Sequence, residues 1–266
     1  MSGVGELLAE AKAQGRAALV GYLPVGFPDV AGSIEAMVAM VEAGVDIVEI
    51  GVPYTDPLMD GPVIAHAADV ALQNGVRLKD VFTAVRAVAA VGAPALVMTY
   101  WNPVLRYGVE RFADDLARAG GAGLITPDLI PDEGAEWMAA AERHDLDHVF
   151  MVAPSSTGQR LRSTALACSG FVYAASSMGV TGVQTTVGDA AQLLVTRTRR
   201  LTELPICVGL GVSTGAQAAQ VAAFADGVIV GSALVRCLSD DGSPADGLSA
   251  IRRLSADLAA GVRRGR

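Results

Sequence analysis

The stretch VEIGVPYTDPLMDGPV, residues 48–63, carries a carboxylate at each end, Glu49 inside an apolar strand and Asp60 in a turn-rich loop. Side chains alternate along a strand, so Ile47, Glu49 and Gly51 share one face while Val48 and Ile50 share the other. With the latter pair packed on helices, Glu49 points inward near the C-terminal end of its strand. An unpaired charge there is costly. Two readings follow for Glu49: a glutamate neutralised by an arginine or polar network in the core, or a group kept to move protons. For Asp60 the alternatives are a turn residue or helix cap within Asp-Gly-Pro, and a second working carboxylate.

A second signal lies near the other end of the chain. VGLGVSTGAQ (208–217) and VIVGSALV (228–235) each run from an apolar strand into small residues and a helix start. Backbone N–H groups at such turns bind phosphate after the seventh and eighth strands of many barrels, with Ser213 and Ser232 as hydroxyl donors; the alternative is that Gly211 and Gly231 only make turns. Absences narrow the chemistry. The two lysines, Lys12 and Lys79, fall in predicted helices, so a Schiff-base mechanism lacks its amine. The histidines, His66, His144 and His148, form no zinc spacing, and no Gly-x-Gly-x-x-Gly follows the first strand. What remains is acid–base chemistry on a phosphorylated small molecule, with no metal and no cofactor expected in this chain.

Holding these residues together requires a repeating scaffold. Eight short apolar runs, 17–23, 46–51, 95–100, 122–125, 147–152, 170–174, 205–209 and 226–231, alternate with amphipathic stretches at 33–43, 78–91, 109–119, 132–144, 188–201 and 216–223. That pattern predicts an α/β fold, a single (β/α)8 TIM barrel over residues 1–266, with an open doubly wound sheet as the alternative. Val4, Leu7, Leu8 and Ala11 at helical spacing predict an extra N-terminal helix over the barrel bottom. The loop after strand two is enlarged on the face where barrels place chemistry, and contains a short helical piece at 63–73.

Composition excludes several classes. The 266 residues are 52% hydrophobic, yet the longest uncharged apolar stretch, 87–98, is too short for a membrane span and holds Gly92 and Pro94. The N-terminus lacks a basic start followed by an apolar run, so a cytoplasmic protein is expected. A net charge of −8 argues against nucleic acid. The scattered Cys168, Cys207 and Cys237 read as reduced thiols with no role.

VEIGVPYTDPLMDGPVI, LVGYLPVGFPD, MTYWNPVLRYG, TPDLIPDE, GVTG and VGLGVS…ADGVIVGSALV together resemble the α subunit family of tryptophan synthase, in the same order over essentially the whole chain. The resemblance implies retro-aldol cleavage of indole-3-glycerol phosphate to indole and glyceraldehyde 3-phosphate. It implies Glu49 as the proton shuttle and Asp60 as the acceptor of the indole N–H. It puts Tyr22, Thr99 and Tyr100 along the indole pocket, Tyr173 near the glycerol portion, and Gly182, Gly211, Gly231 and Ser232 on the phosphate. Residues 176–186 match a lid, with Thr181 meeting Asp60 on closure. A β subunit carrying pyridoxal phosphate is the implied partner in an α2β2 heterotetramer, docking on residues 53–56, 102–106 and 128–131. A neighbouring phosphate-binding barrel of indole or histidine biosynthesis, and a barrel that only binds ligand as a regulator, are the competing readings.

Overall fold

The structure is a computed structural model, and it describes residues 3–175, 189–209, 211–239 and 243–265. In chain order the elements are α1 (Gly3–Ala13), β1 (Ala18–Pro24), α2 (Val30–Glu42), β2 (Ile47–Gly51), α3 (Pro62–Gln73), α4 (Leu78–Ala90), β3 (Ala95–Met98), α5 (Trp101–Tyr107), α6 (Val109–Arg118), β4 (Gly123–Thr126), a 3-10 turn (Pro131–Glu133), α7 (Ala135–Arg143), β5 (Asp147–Val152), α8 (Gly158–Ala167), β6 (Val172–Ala175), α9 (Asp189–Arg199), β7 (Ile206–Gly209), α10 (Gly215–Ala222), β8 (Gly227–Val230), α11 (Ser232–Arg236) and α12 (Pro244–Arg264). The strands pair in parallel in sequence order, and β8 closes on β1. The closed barrel is the predicted fold; the open sheet is excluded.

Alternation explains the two cores. Inward residues Val20, Ile47, Leu96, Ile125, Val149, Phe171, Cys207 and Ile229 pack with one another and with Val4, Leu8 and Ala11 of α1, so the N-terminal helix closes the barrel bottom as its spacing predicts. Outward residues such as Leu19, Val48, Ile50, Val97 and Val208 join the helices in the larger core. Each fully buried aliphatic side chain contributes about 1.5–3 kcal/mol, so Val48 and Ile50 facing the helices fix Glu49 inward.

Charges at the barrel bottom are paired. Arg16 makes a two-pronged contact with Asp46 at 2.8 and 3.0 Å, and Asp46 also accepts the Leu19 N–H. Buried Asp226 meets Arg199 at 2.8 Å and accepts the Ile206 N–H. These carboxylates tie strand starts together. His144, at the end of α7, contacts Glu110 at 3.0 Å, and His148 of β5 lies 3.4 Å from Ser169 Oγ. Cys168 and Cys207 are buried and Cys237 half-buried, all as free thiols.

Two expectations need correction. The third strand was expected over 95–100 but stops at Met98, because Tyr100 becomes the N-cap of α5 with φ −64° and ψ 156°. Pro103 then sits in the first turn, where its missing N–H costs little. Helices α5 and α8 were not anticipated: α5 is too short to show a period, and α8 is marked by its Thr157 cap, which accepts the Arg160 N–H. No described helix is long and apolar enough to cross a membrane, and among the described residues no group of three or more His, Cys, Asp or Glu is placed to hold a metal.

Candidate active site

Glu49 lies in the middle of β2, flanked by Tyr22 of β1 and Leu96 of β3 as its register partners. It is 0% exposed, and neither carboxylate oxygen has a hydrogen-bond partner among the described residues. Asp46 and Asp226 show what a structural carboxylate looks like in this fold, held by arginine and backbone N–H; Glu49 has neither. Burial therefore favours its neutral form and lifts the carboxyl from its usual 4.5 to about 8. The reading of Glu49 as a core glutamate neutralised by an arginine finds no partner among the described residues.

Two phenols stand near it. Tyr22 extends over Gly51, so close that a methyl group there would collide with the ring and hydroxyl, and a methyl on Gly231 would lie 3.4 Å from Tyr22 Cδ1. Tyr173, the second residue of β6, lies over Gly209 in the same way, its hydroxyl 2.7 Å from where a methyl would be. Burial pushes both phenols above their usual range, with Asp60 and then Glu49 adding to it at Tyr22 and Glu49 adding to it at Tyr173, so both are neutral donors at working pH.

Asp60 is positioned by Tyr100. The Tyr100 hydroxyl accepts the N–H groups of Leu58 and Met59, each at 3.0 Å, and donates to Asp60 Oδ1 at 3.1 Å. One phenol at the end of β3 thus organises the loop after β2. Its ring stacks at 5.3 Å on Tyr54, whose hydroxyl accepts from Asn102 Nδ2 at 3.2 Å. Asp60 does not cap α3: the N-cap is Gly61, with no side-chain cap bond, followed by Pro62. Partial burial raises the Asp60 carboxyl and the Tyr100 bond opposes that rise. Within this exposed loop, Asp60 itself is thus partly withdrawn from solvent. Tyr100→Phe removes a donor and the acceptor of two amides, each bond being worth about 0.5–1.5 kcal/mol. Turnover should fall about tenfold or more, and hydrogen-exchange mass spectrometry should find the 58–60 amides less protected; unchanged protection would exclude Tyr100 as the organiser.

The remaining expected residues divide. Thr99 is buried and its hydroxyl donates to the Tyr100 carbonyl at 3.1 Å, so it supports the pocket wall from behind. Gly211 adopts φ +62°, a left-handed turn that favours glycine. Ser213 gives both its N–H and its hydroxyl to Gln217 Oε1, at 2.8 and 3.0 Å, and so braces α10 instead of facing a ligand. Gly231 caps α11 and Ser232 opens it, both partly exposed beside Tyr22. Thr181 and Gly182 lie outside the described residues. Tyr22, Glu49, Asp60, Tyr100 and Tyr173 therefore converge on the C-terminal mouth of the barrel, with Gly231 and Ser232 at its edge. Sequence reasoning missed Tyr100 as a link to Asp60; its hydroxyl at a strand end was the available signal.

An eight-stranded parallel barrel with a bare glutamate inside its mouth and an aspartate on the adjoining loop defines a barrel enzyme of the acid–base type. The family model described as "Tryptophan synthase alpha chain" matches residues 8–260. A tryptophan synthase alpha chain from Salinispora arenicola is 61% identical, with 99% of this chain and 98% of that one covered. Ligand-free tryptophan synthase from M. tuberculosis superposes with a TM-score of 0.91 at 56% identity, over 99% of this chain and 100% of that one. The aminoacrylate-bound form of the M. tuberculosis enzyme gives 0.90 at 55% identity, over 98% and 100%. The chain belongs to the tryptophan synthase alpha chain family. It is a carbon–carbon lyase that cleaves indole-3-glycerol phosphate in tryptophan biosynthesis.

Proposed function

We propose that Glu49 and Asp60 divide the work of this cleavage between a neutral and an ionised carboxyl. The observation that carries the reading is Glu49, fully buried at the barrel mouth with neither oxygen hydrogen-bonded among the described residues. In its favoured neutral form it gives a proton to the indole carbon that bears the glycerol chain. The ring becomes cationic, and Asp60, accepting the indole N–H, stabilises that charge. The Glu49 carboxylate then takes the proton of the adjacent hydroxyl as the carbon–carbon bond breaks. Its electrons return to the ring, releasing indole and an aldehyde, and Glu49 ends protonated as it began.

Tyr173 faces the glycerol portion, and Tyr22 and Tyr100 flank the indole. Gly231 and Ser232, with Gly211 and Gly182, take the phosphate on backbone N–H groups. Residues 1–266 act as one barrel domain in the cytoplasm.

The partner is a tryptophan synthase β subunit, in keeping with the M. tuberculosis synthase structures, and the assembly proposed is an α2β2 heterotetramer. It would dock on residues 53–56, 102–106 and 128–131. Exposed Leu105 within 102–106, and Leu58 and Met59 beside 53–56, at 54%, 79% and 57%, supply apolar surface. Pyridoxal phosphate belongs to that partner: Lys12 of α1 and Lys79 of α4 are exposed on helices and offer it no amine inside the barrel. Because Tyr100 grips the amides of Leu58 and Met59, docking on this loop would settle Asp60.

The test is indole release from indole-3-glycerol phosphate by the purified chain with and without the β subunit. Release that rises at least severalfold with the partner is expected. Folded protein that binds the substrate and releases none in either case would overturn the reading in favour of a ligand-binding regulator.

A further inference from the structure

The shuttle just proposed leaves Glu49 ionised midway through the cycle, in a buried place with no hydrogen bond of its own among the described residues. A carboxylate so placed needs a donor. The groups that face it can be searched strand by strand. From β3 come Leu96 and Met98, which donate nothing. From β7 comes Cys207, a weak donor packed 2.5 Å from where a methyl on Gly227 would lie. Tyr173 reaches in from β6 on the far side of the barrel, with its hydroxyl directed over Gly209. Asp60, when ionised, has no proton to offer, and Tyr100 already donates to it. Tyr22 remains. It is the register partner of Glu49 on the adjacent strand, and its hydroxyl lies over Gly51, two residues further along the same inward face. Among the described residues that hydroxyl makes no hydrogen bond of its own.

We infer that the Tyr22 hydroxyl receives the Glu49 carboxylate once Glu49 has given up its proton, which makes Tyr22 a positioning residue for the shuttle rather than only a wall of the indole pocket. Tyr22 keeps its own proton throughout; the carboxylate accepts a hydrogen bond from it and later takes the hydroxyl proton of the substrate. The contact to Gly231 and the bare Cα of Gly51 hold the ring in this place, so Gly51 is a glycine because the phenol occupies the space of its side chain. The inference rests on Glu49 as the proton shuttle.

Tyr22→Phe keeps the ring and removes only the donor. In the complex with the β subunit, its turnover should fall about tenfold to a hundredfold, the scale of one charge-assisted hydrogen bond, while KM changes within about twofold. Without the donor the ionised form of Glu49 is less favoured, so the alkaline limb of the kcat/KM profile should move to higher pH by about one pH unit. Gly51→Ala, which pushes the ring aside, should move the limb in the same direction. A raised KM with an unmoved limb would overturn the inference and make Tyr22 a substrate contact; unchanged kinetics would reduce it to packing. Activity retained by Glu49→Gln would instead strike the shuttle itself.

Discussion

Glu49→Gln is expected to leave a folded barrel that still binds the substrate and cleaves it at least about a thousandfold more slowly. The magnitude follows from the double use of one carboxyl. General acid–base catalysis contributes about 10²–10⁴-fold, and the amide can neither give the first proton nor take the second. Isotopic exchange at the indole ring carbon, which needs only the first proton, should disappear together with cleavage. The substitution also has a stability signature. Below pH 4.5 folded and unfolded chains both hold the Glu49 proton; between 4.5 and about 8 the folded chain holds it and the unfolded chain loses it. The native state binds more protons there, so wild-type stability falls as pH rises through that window. The slope is roughly 1.4 kcal/mol per pH unit at most, and the Gln variant should lack it, whatever constant offset its buried amide brings. Urea denaturation at several pH values reads this directly. Parallel curves for the two proteins would mean that Glu49 is ionised in the folded state, contrary to a neutral acid.

Asp60→Asn should lower turnover about a hundredfold or more and change substrate binding little. Asparagine keeps an oxygen that can accept the Tyr100 hydroxyl, so the loop geometry survives while the negative charge is lost. That charge opposes the cation developing on the indole, and removing one such electrostatic group typically costs about 10²–10³ in kcat. The pH profile separates the two carboxyls. Activity requires Asp60 ionised and Glu49 protonated, so the acid limb belongs to Asp60, displaced upward from its usual 3.8 by partial burial, and the alkaline limb to Glu49 near 8. The Asn variant should lose the acid limb and keep the alkaline one. A variant with full turnover would return Asp60 to a turn residue; one with raised KM alone would make it a binding group.

The sequence by itself determined the barrel, the N-terminal plug and the inward aim of Glu49, because each follows from a short-range period. The alternation of Ile47, Val48, Glu49, Ile50 and Gly51 needs only one strand to be read, and the helical spacing of Val4, Leu8 and Ala11 only one helix. The resemblance in residues 48–63 and 208–235 carried the activity. Only the tertiary structure decided how the carboxyls differ. That Glu49 is bare while Asp46 and Asp226 are paired depends on where Arg16 and Arg199 stand once the barrel closes. Asp60 and Tyr100 are separated by 40 residues, and nothing local distinguishes an aspartate that caps α3 from one held by a distant phenol. Ser213 looked like a phosphate donor until Gln217 took both its groups. Tyr22 and Gly51 meet only because β1 and β2 pair in the register that sets Tyr22 beside Glu49. Periodicity is a property of neighbours along the chain, whereas desolvation and hydrogen-bond partnership are properties of neighbours in space, and those exist only after closure.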